Sequence, residues 1–226
     1  MVDPHNLIEK YGADTARLFT LFASPPERDL DWSDLGVEGS YRFLNRVWNL
    51  VYETVNKRWP KAEANKEINF WIHKTIKKVT EDIENFHFNT AIAAVMEYVN
   101  FLYKIAAESG LHPDFHAALK TLSVLLYPLV PHFAEELAMV LGIENGLAQT
   151  TWPDYDHSYL KQDSINMVVQ VNGKLRAQLL VPNDAGETVV KQMALEHEKM
   201  ALFLKDKTIL KTIYVPGRLV NFVVKQ

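Results

Sequence analysis

Two sets of side chains carry whatever chemistry this sequence offers, and both are cationic. Arg42, Arg46 and Asn49 recur at spacings of four and three, which places them on one face of a helix. A guanidinium presents a planar fork of donors that matches phosphate oxygens, so such a stripe can track a phosphodiester backbone. Glu38 and Glu53 fall on the same polar face, and ion pairing on an ordinary solvated surface is the alternative. Further on, Lys174 and Arg176 are two apart on a strand, on the side opposite its apolar residues. Lys205, Lys207, Lys211 and Arg218 add charge near strand ends. Protection of sheet edges by lysine accounts for these as well as anion binding does.

No catalytic constellation accompanies them. The sequence has no Gly-rich phosphate loop, no G-x-S-x-G elbow and no H-E-x-x-H. His112 and His116 have the spacing of two metal ligands on a helix, but Pro113 starts that helix after His112, and no third ligand is near. Ser33 between Asp31 and Asp34 is better placed as a helix cap than as a nucleophile. Glu135 and Glu136 are adjacent, so their side chains diverge toward solvent. With 0 Cys, thiolate metal sites, disulfides and Cys nucleophiles are excluded together, and a reducing, cytoplasmic setting is expected. We expect no catalytic residue, metal or cofactor in this chain.

The elements that position these groups follow from periodicity. Asp3-Pro4 opens a short helix to Tyr11, with Gly12 beyond its end, and Asp14 caps a second helix that Pro25-Pro26 stops. From Ser33 to Lys57 the apolar residues Val37, Tyr41, Leu44, Trp48, Val51 and Val55 form one helical stripe. Pro60 through Lys66 is a polar connection. Helices are predicted over 67–85, 89–108, 113–127 and 131–141, punctuated by Asn89, Gly110 with Pro113, Pro128 with Pro131, and Gly142. Short links between long helices make antiparallel neighbours. At Ile165 the period changes to two, and Asn172-Gly173 marks a hairpin between Ile165–Val171 and Leu175–Val181. One helix over 187–204 is predicted to bury Val189, Met193, Leu195, Met200 and Leu204. Strands at 208–215 and 218–225 meet at Pro216-Gly217.

The fold class is therefore mainly α, an antiparallel helical bundle followed by a small α+β domain ordered β-β-α-β-β. The expected divisions are 1–32, a bundle over 33–153, a linker over 154–163 and a small domain over 164–226. Charge follows the same division: residues 1–163 carry 15 Lys+Arg against 23 Asp+Glu, and residues 164–226 carry 9 against 5. A basic terminal piece on an acidic body suits a polyanionic partner. No apolar run approaches the ~20 residues that span a bilayer. The opening residues lack the charged-then-apolar pattern of a secretory leader.

Several stretches resemble the bacterial-type leucyl-tRNA synthetase family. They are Tyr11-Gly12-Ala13-Asp14-Thr15-Ala16-Arg17-Leu18-Phe19, Phe22-Ala23-Ser24-Pro25-Pro26-Glu27 and Asp29-Leu30-Asp31-Trp32-Ser33-Asp34-Leu35-Gly36-Val37-Glu38-Gly39. Arg42-Phe43-Leu44-Asn45-Arg46-Val47-Trp48 and Gln170-Val171-Asn172-Gly173-Lys174-Leu175-Arg176 complete the set. In that family Val-Asp-Pro lies shortly after the Lys-Met-Ser-Lys-Ser loop, so Val2-Asp3-Pro4 implies a C-terminal piece of a longer enzyme. The nucleotide motifs and the editing domain are missing from it. The resemblance implies a bundle of the anticodon-binding type of class I synthetases, with Arg42, Arg46 and Asn49 on the backbone of tRNA(Leu). It implies a terminal domain at the tRNA corner, where Lys174, Arg176 and Arg218 are the candidate contacts. Asp29, Asp31 and Trp32 would brace the junction formed by 1–32. ATP, Mg and leucine would act only in the missing catalytic part, and the piece would be a cytoplasmic monomer without membrane contact. The alternatives are the same part of an isoleucyl or valyl enzyme, and a protein-interaction module that binds no RNA.

Overall fold

A computed structural model describes residues 4–55, 65–108, 112–160, 164–183, 185–205 and 207–225. The expected N-cap Asp3, most of the 60–66 connection, Gly110 and the end of the 154–163 segment lie outside these residues. The chain divides into two compact units, Met1–Leu160 and Lys161–Gln226.

The first unit is helical: α1 (Pro4–Tyr11), α2 (Ala13–Ala23), α3 (Asp34–Val55), α4 (Lys66–Glu84), α5 (Phe88–Glu108), α6 (Pro113–Leu126), α7 (Pro131–Val140) and a 3₁₀ turn (Leu147–Gln149). Local chemistry sets the ends. Asn65 accepts from the N–H groups of Glu67 and Ile68, which caps α4. His112 caps α6 through its ring Nδ1, and Pro113 takes the first helical position, where a missing N–H costs nothing. Ser33 Oγ accepts from the Gly36 N–H at 3.1 Å and caps α3. Gly36 lets α3 approach α2: a Cβ there would meet Phe19 Cε2 at 2.7 Å.

One core runs through the unit, with Leu18, Val47, Ile76, Val95, Tyr98, Leu122 and Leu137 among its buried residues. The Tyr98 hydroxyl, fully buried, donates to the Ala118 carbonyl at 3.2 Å. Because Leu18 belongs to this core, the first two helices are part of the same compact unit as the bundle.

The stripe of α3 is rotated from the predicted one. Val37, Ser40, Phe43, Leu44, Val47, Leu50, Val51 and Thr54 are buried, whereas Tyr41 is 41% exposed and Trp48 only partly covered. Small Ser40 and Thr54 complete the buried face by donating to the carbonyls of Gly36 and Leu50, which satisfies their hydroxyls inside the helix. Tyr41 thus lies off the buried face, and Trp48 packs against the core from its edge. Glu135 is a second correction. Its carboxylate accepts from the N–H groups of Leu147 and Ala148 and caps the 3₁₀ turn instead of facing solvent.

Residues 152–160 lie along α4. Trp152 Nε1 donates to Thr80 Oγ1 at 2.8 Å, and the Asp156 N–H donates to His73 Nδ1 at 3.2 Å. Tyr159 stacks on the same imidazole at 4.5 Å.

The second unit holds β1 (Ser164–Val171), β2 (Lys174–Pro182), α8 (Glu187–Glu196), α9 (Glu198–Leu204), β3 (Thr208–Val215) and β4 (Leu219–Lys225), with sheet order β2-β1-β4-β3. The two hairpins are antiparallel, and the inner strands β1 and β4 run parallel, Val168 beside Leu219 and Val171 beside Phe222. A parallel pair needs a long crossover, which the helices supply. Alternate residues Met167, Val169, Val171, Val220, Phe222 and Val224 build the core against Val190, Ala194 and Met200. Asn172, at φ 50°, exchanges two hydrogen bonds between its amide and the Val224 backbone, continuing the parallel ladder through the turn.

The predicted single helix over 187–204 is two helices. His197 adopts an extended backbone between them, and its Nδ1 accepts the Lys199 N–H at 3.2 Å. Val190 and Ala194 form the buried stripe of α8, and Val189 and Leu195 are exposed.

Candidate nucleic-acid interface

On α3, Arg42, Asn45, Arg46 and Asn49 are exposed along one face. No ion pair joins Glu38 or Glu53 to Arg42 or Arg46 among the described residues, so the surface pairing weighed from the sequence is absent. Arg46 is held from α5 instead. Its Nη2 donates to Asn100 Oδ1 at 2.9 Å, and its guanidinium lies 5.1 Å from the Tyr103 ring centre. The Tyr103 hydroxyl donates to the Arg46 carbonyl at 2.7 Å. Partial burial pushes the Tyr103 phenol upward, and the nearby Arg46 opposes this. Arg42 and Asn49 have no side-chain partner among the described residues. The face thus combines one fixed guanidinium with one free to meet a ligand.

Aromatic rings border this face. Trp48 and Tyr52 stack at 6.1 Å and 14°, and Tyr11 meets Tyr41 edge-on at 5.4 Å. Periodicity places Tyr41 and Trp48 on the apolar stripe of α3; Trp48 does pack against the core, and Tyr41 is exposed. The signal that separates Tyr41 from core residues is its position beside Arg42 and Asn45.

Two charged residues of α2, three apart, grip the turn between α6 and α7. Asp14 is buried and accepts from the Phe133 N–H at 2.6 Å and meets His132 Nδ1 at 3.1 Å. Arg17 donates to the carbonyls of Leu129 and Pro128, each at 3.2 Å. A carboxylate at a helix N-terminus and a guanidinium at a helix C-terminus each complement the helix dipole. Asp14, expected to cap its own helix, serves α7, while Gly12 at φ 85° leads into α2.

At 22–35, the Trp32 ring packs edge-on against Phe19 at 5.2 Å, and its Nε1 donates to Asp34 Oδ1 at 2.8 Å. The Asp29 carbonyl accepts from Ser24 Oγ at 3.1 Å. The Asp29 and Asp31 carboxylates have no partner among the described residues.

In the second unit, β2 corrects the expected placement of Lys174 and Arg176. The register shifts between Val169 and Gln170, so Ala177 faces Val169 while Leu175 faces Gln170, and Arg176 is the extra residue of a β-bulge. Cross-strand partners point to the same side of a sheet. Lys174, opposite the inward Val171, and Arg176 therefore share the helix-covered side. Leu175 turns to the open face and is 57% exposed. The Arg176 guanidinium lies 4.4 Å from the Phe203 ring centre on α9, and its Nε is buried without a hydrogen bond. Arg218 sits in the β3–β4 turn, where its carbonyl accepts from Val168. Extending the register puts Arg218 beside Met167 and Lys174 beside Val171, on opposite edges of β1.

Among the described residues no group of three or more His, Asp or Glu is placed to hold a metal, and no helix is long and apolar enough to cross a membrane. What remains is a surface of arginine, asparagine and aromatic side chains, the composition that binds RNA through phosphate contact and base stacking.

The family model described as the anticodon-binding domain of tRNA ligase matches residues 53–191, and the chain belongs to that family. Among named proteins it is similar to the leucine–tRNA ligases of Geobacter sp. (strain M21), at 52% identity over 238 residues, and Geotalea uraniireducens (strain Rf4), at 50% over 235 residues. Each comparison covers 99% of this chain and 28% of the relative, so the chain spans about a quarter of the length of the curated relatives it matches. Among solved structures, a LeuRS–tRNA–LeuAMS ternary complex from Agrobacterium radiobacter K84 matches with a TM-score of 0.78 at 30% identity. That match covers 100% of this chain and 30% of the other.

Proposed function

We propose that this chain is the tRNA-binding C-terminal part of a leucine–tRNA ligase. It positions tRNA(Leu) so that the 3′ end reaches a catalytic portion outside the chain, where leucine, ATP and Mg take part in aminoacylation. The observation that carries this reading is identity of 45–52% across 99% of the chain to proteins named as leucine–tRNA ligases. Those names favour leucine over isoleucine or valine, and the anticodon-binding family favours RNA over a protein partner.

In this reading the helical part, 33–153, lies along the inside of the tRNA with Arg42, Arg46 and Asn49 toward the backbone. The small domain, 164–226, touches the outer corner through Lys174, Arg176 and Arg218. Residues 1–32, with Asp29, Asp31 and Trp32, brace the junction to the catalytic part. The protein acts as a cytoplasmic monomer. Phosphate contacts supply most of the affinity and make it fall as salt rises.

Deleting residues 164–226 from the full ligase tests the division of labour. Aminoacylation is expected to fall far more than leucine-dependent ATP–pyrophosphate exchange, and equal loss in both assays overturns the reading. For the chain alone, a tRNA(Leu) titration across ionic strength should show a negative slope of log affinity against log salt. Salt-independent binding, or none, counts against the interface.

A further inference from the structure

We propose that the pocket between α1, α2, α3 and α7 receives one unstacked base of the bound RNA. This rests on the tRNA-binding reading above and adds to it a site for a base where only backbone contacts were inferred. The pocket has a volume of about 350 Å³ and is walled by Tyr11, Tyr41, Trp48 and Phe133. That falls within the ~300–1,000 Å³ common for small-ligand sites. Tyr11 and Tyr41 meet edge-on at 5.4 Å, and Trp48 and Phe133 are tilted at 6.5 Å, so four rings from three helices converge on one depression.

Its polar groups narrow the occupant. Asp14 is already committed to Phe133 and His132, and Thr15 Oγ1 to the Tyr11 carbonyl at 2.7 Å. Asn45 gives its Nδ2 to the Tyr41 carbonyl at 2.9 Å, which leaves its Oδ1 without a partner among the described residues. An amide oxygen accepts from the exocyclic amino group of adenine, cytosine or guanine.

Two cations stand next to lining residues in the chain, and the Glu38 and Asp34 carboxylates lie near enough to Lys10 to favour its charged form. Arg42 follows Tyr41 on α3 without a partner among the described residues, and Lys10 Nζ lies 4.7 Å from the Tyr11 ring centre. A base arrives with a phosphate on either side, so a cavity of aromatic rings flanked by cations matches both parts of a nucleotide. Tyr52, 57% exposed and stacked on Trp48, offers a ring surface for a neighbouring base. A covering protein surface would use the rings but would leave the cations and the Asn45 oxygen without a role.

Stacking and phosphate contact differ in salt dependence, and this makes the site testable with the whole chain and a tRNA(Leu) transcript. Tyr41→Leu keeps apolar bulk and removes the ring. It is expected to weaken binding about 5- to 100-fold with the salt slope unchanged. Tyr41→Phe should recover most of that loss, and Asn45→Leu, at an exposed helix position, should cost several-fold, again without a change in slope. Arg42→Gln should instead reduce the slope by about 1. Melting midpoints of the variants separate unfolding from lost contact, and Asn45→Leu carries the test should Tyr41→Leu melt early. Unchanged affinity in both Tyr41→Leu and Asn45→Leu overturns the base site and leaves the rings for a protein surface. Equal losses in Tyr41→Leu and Tyr41→Phe also overturn it. Failure of the unsubstituted chain to bind tRNA overturns the tRNA-binding reading itself, an outcome distinct from intact binding that ignores Tyr41.

Discussion

The two units orient arginine by different means. On α3 the regular helix sets direction, and a second helix fixes Arg46 through Asn100 and Tyr103. In the small unit an irregularity sets direction: one extra residue in β2 turns Arg176 onto Phe203. The helical unit has a core large enough to bury the Asp14 clamp, with Arg17 beside it at the surface. The small unit has 11 buried apolar residues among those described and relies on turn chemistry at Asn172 and on the bulge. A helix thus supplies a row of equivalent positions, whereas a bulged strand supplies one oriented side chain.

The largest test of this contrast is Leu122→Ala. It should cost the helical unit about 2–5 kcal/mol through a cavity in its core. Amide hydrogen exchange is expected to quicken across α4–α6 and not in β1–β4. Equal quickening in both units would erase the distinction. Next, Asp14→Ala strips the acceptor from the Phe133 N–H and should cost about 1–3 kcal/mol, read as a lowered melting midpoint. Asp14→Asn should recover part of this, since an amide oxygen still accepts. Phe203→Leu removes the ring beneath Arg176 and should weaken tRNA binding about 2- to 5-fold, in keeping with a half-buried cation–π contact. Asn100→Ala should have a similar effect through Arg46. No effect from either would mean that these guanidinium groups do not need support.

The smallest effect concerns pH. Partial burial lowers the pKa of His73 from its ordinary 6.5, against an opposing influence of Asp156, while Tyr159 stacks on its ring. An imidazole with a lowered folded pKa contributes stability above its unfolded value. That contribution is lost as pH falls below about 6.5. The segment 152–160 should therefore loosen from α4 as pH drops from about 7 to 5, with faster exchange at the Asp156 amide. His73→Gln should flatten that dependence.

Much of the fold was legible because local signals coincide with its boundaries. Pro113 and Pro131 stand at helix starts, the change of period at Ile165 marks the sheet, and Asn172-Gly173 marks its first turn. What escaped depends on partners far along the chain. The clamp from Asp14 and Arg17 reaches residues more than a hundred positions away, so no window on the sequence contains both ends. The bulge at Arg176 shows only in the register of two strands, and without it alternation points Lys174 and Arg176 to the wrong side. Tyr41 lies at the surface although it falls on the apolar stripe, because a ring is apolar by composition whether it fills a core or lines a surface.

The parallel pairing of β1 with β4 has a consequence for how the small unit comes into being. A ribosome makes β1 and β2 early and β4 after both helices, yet β4 occupies an inner place in the sheet. The first hairpin must wait with one edge open until residues 219–225 emerge. A premature stop that removes only that stretch would take away the middle of the sheet and leave two unpaired borders, a far greater loss than its length suggests.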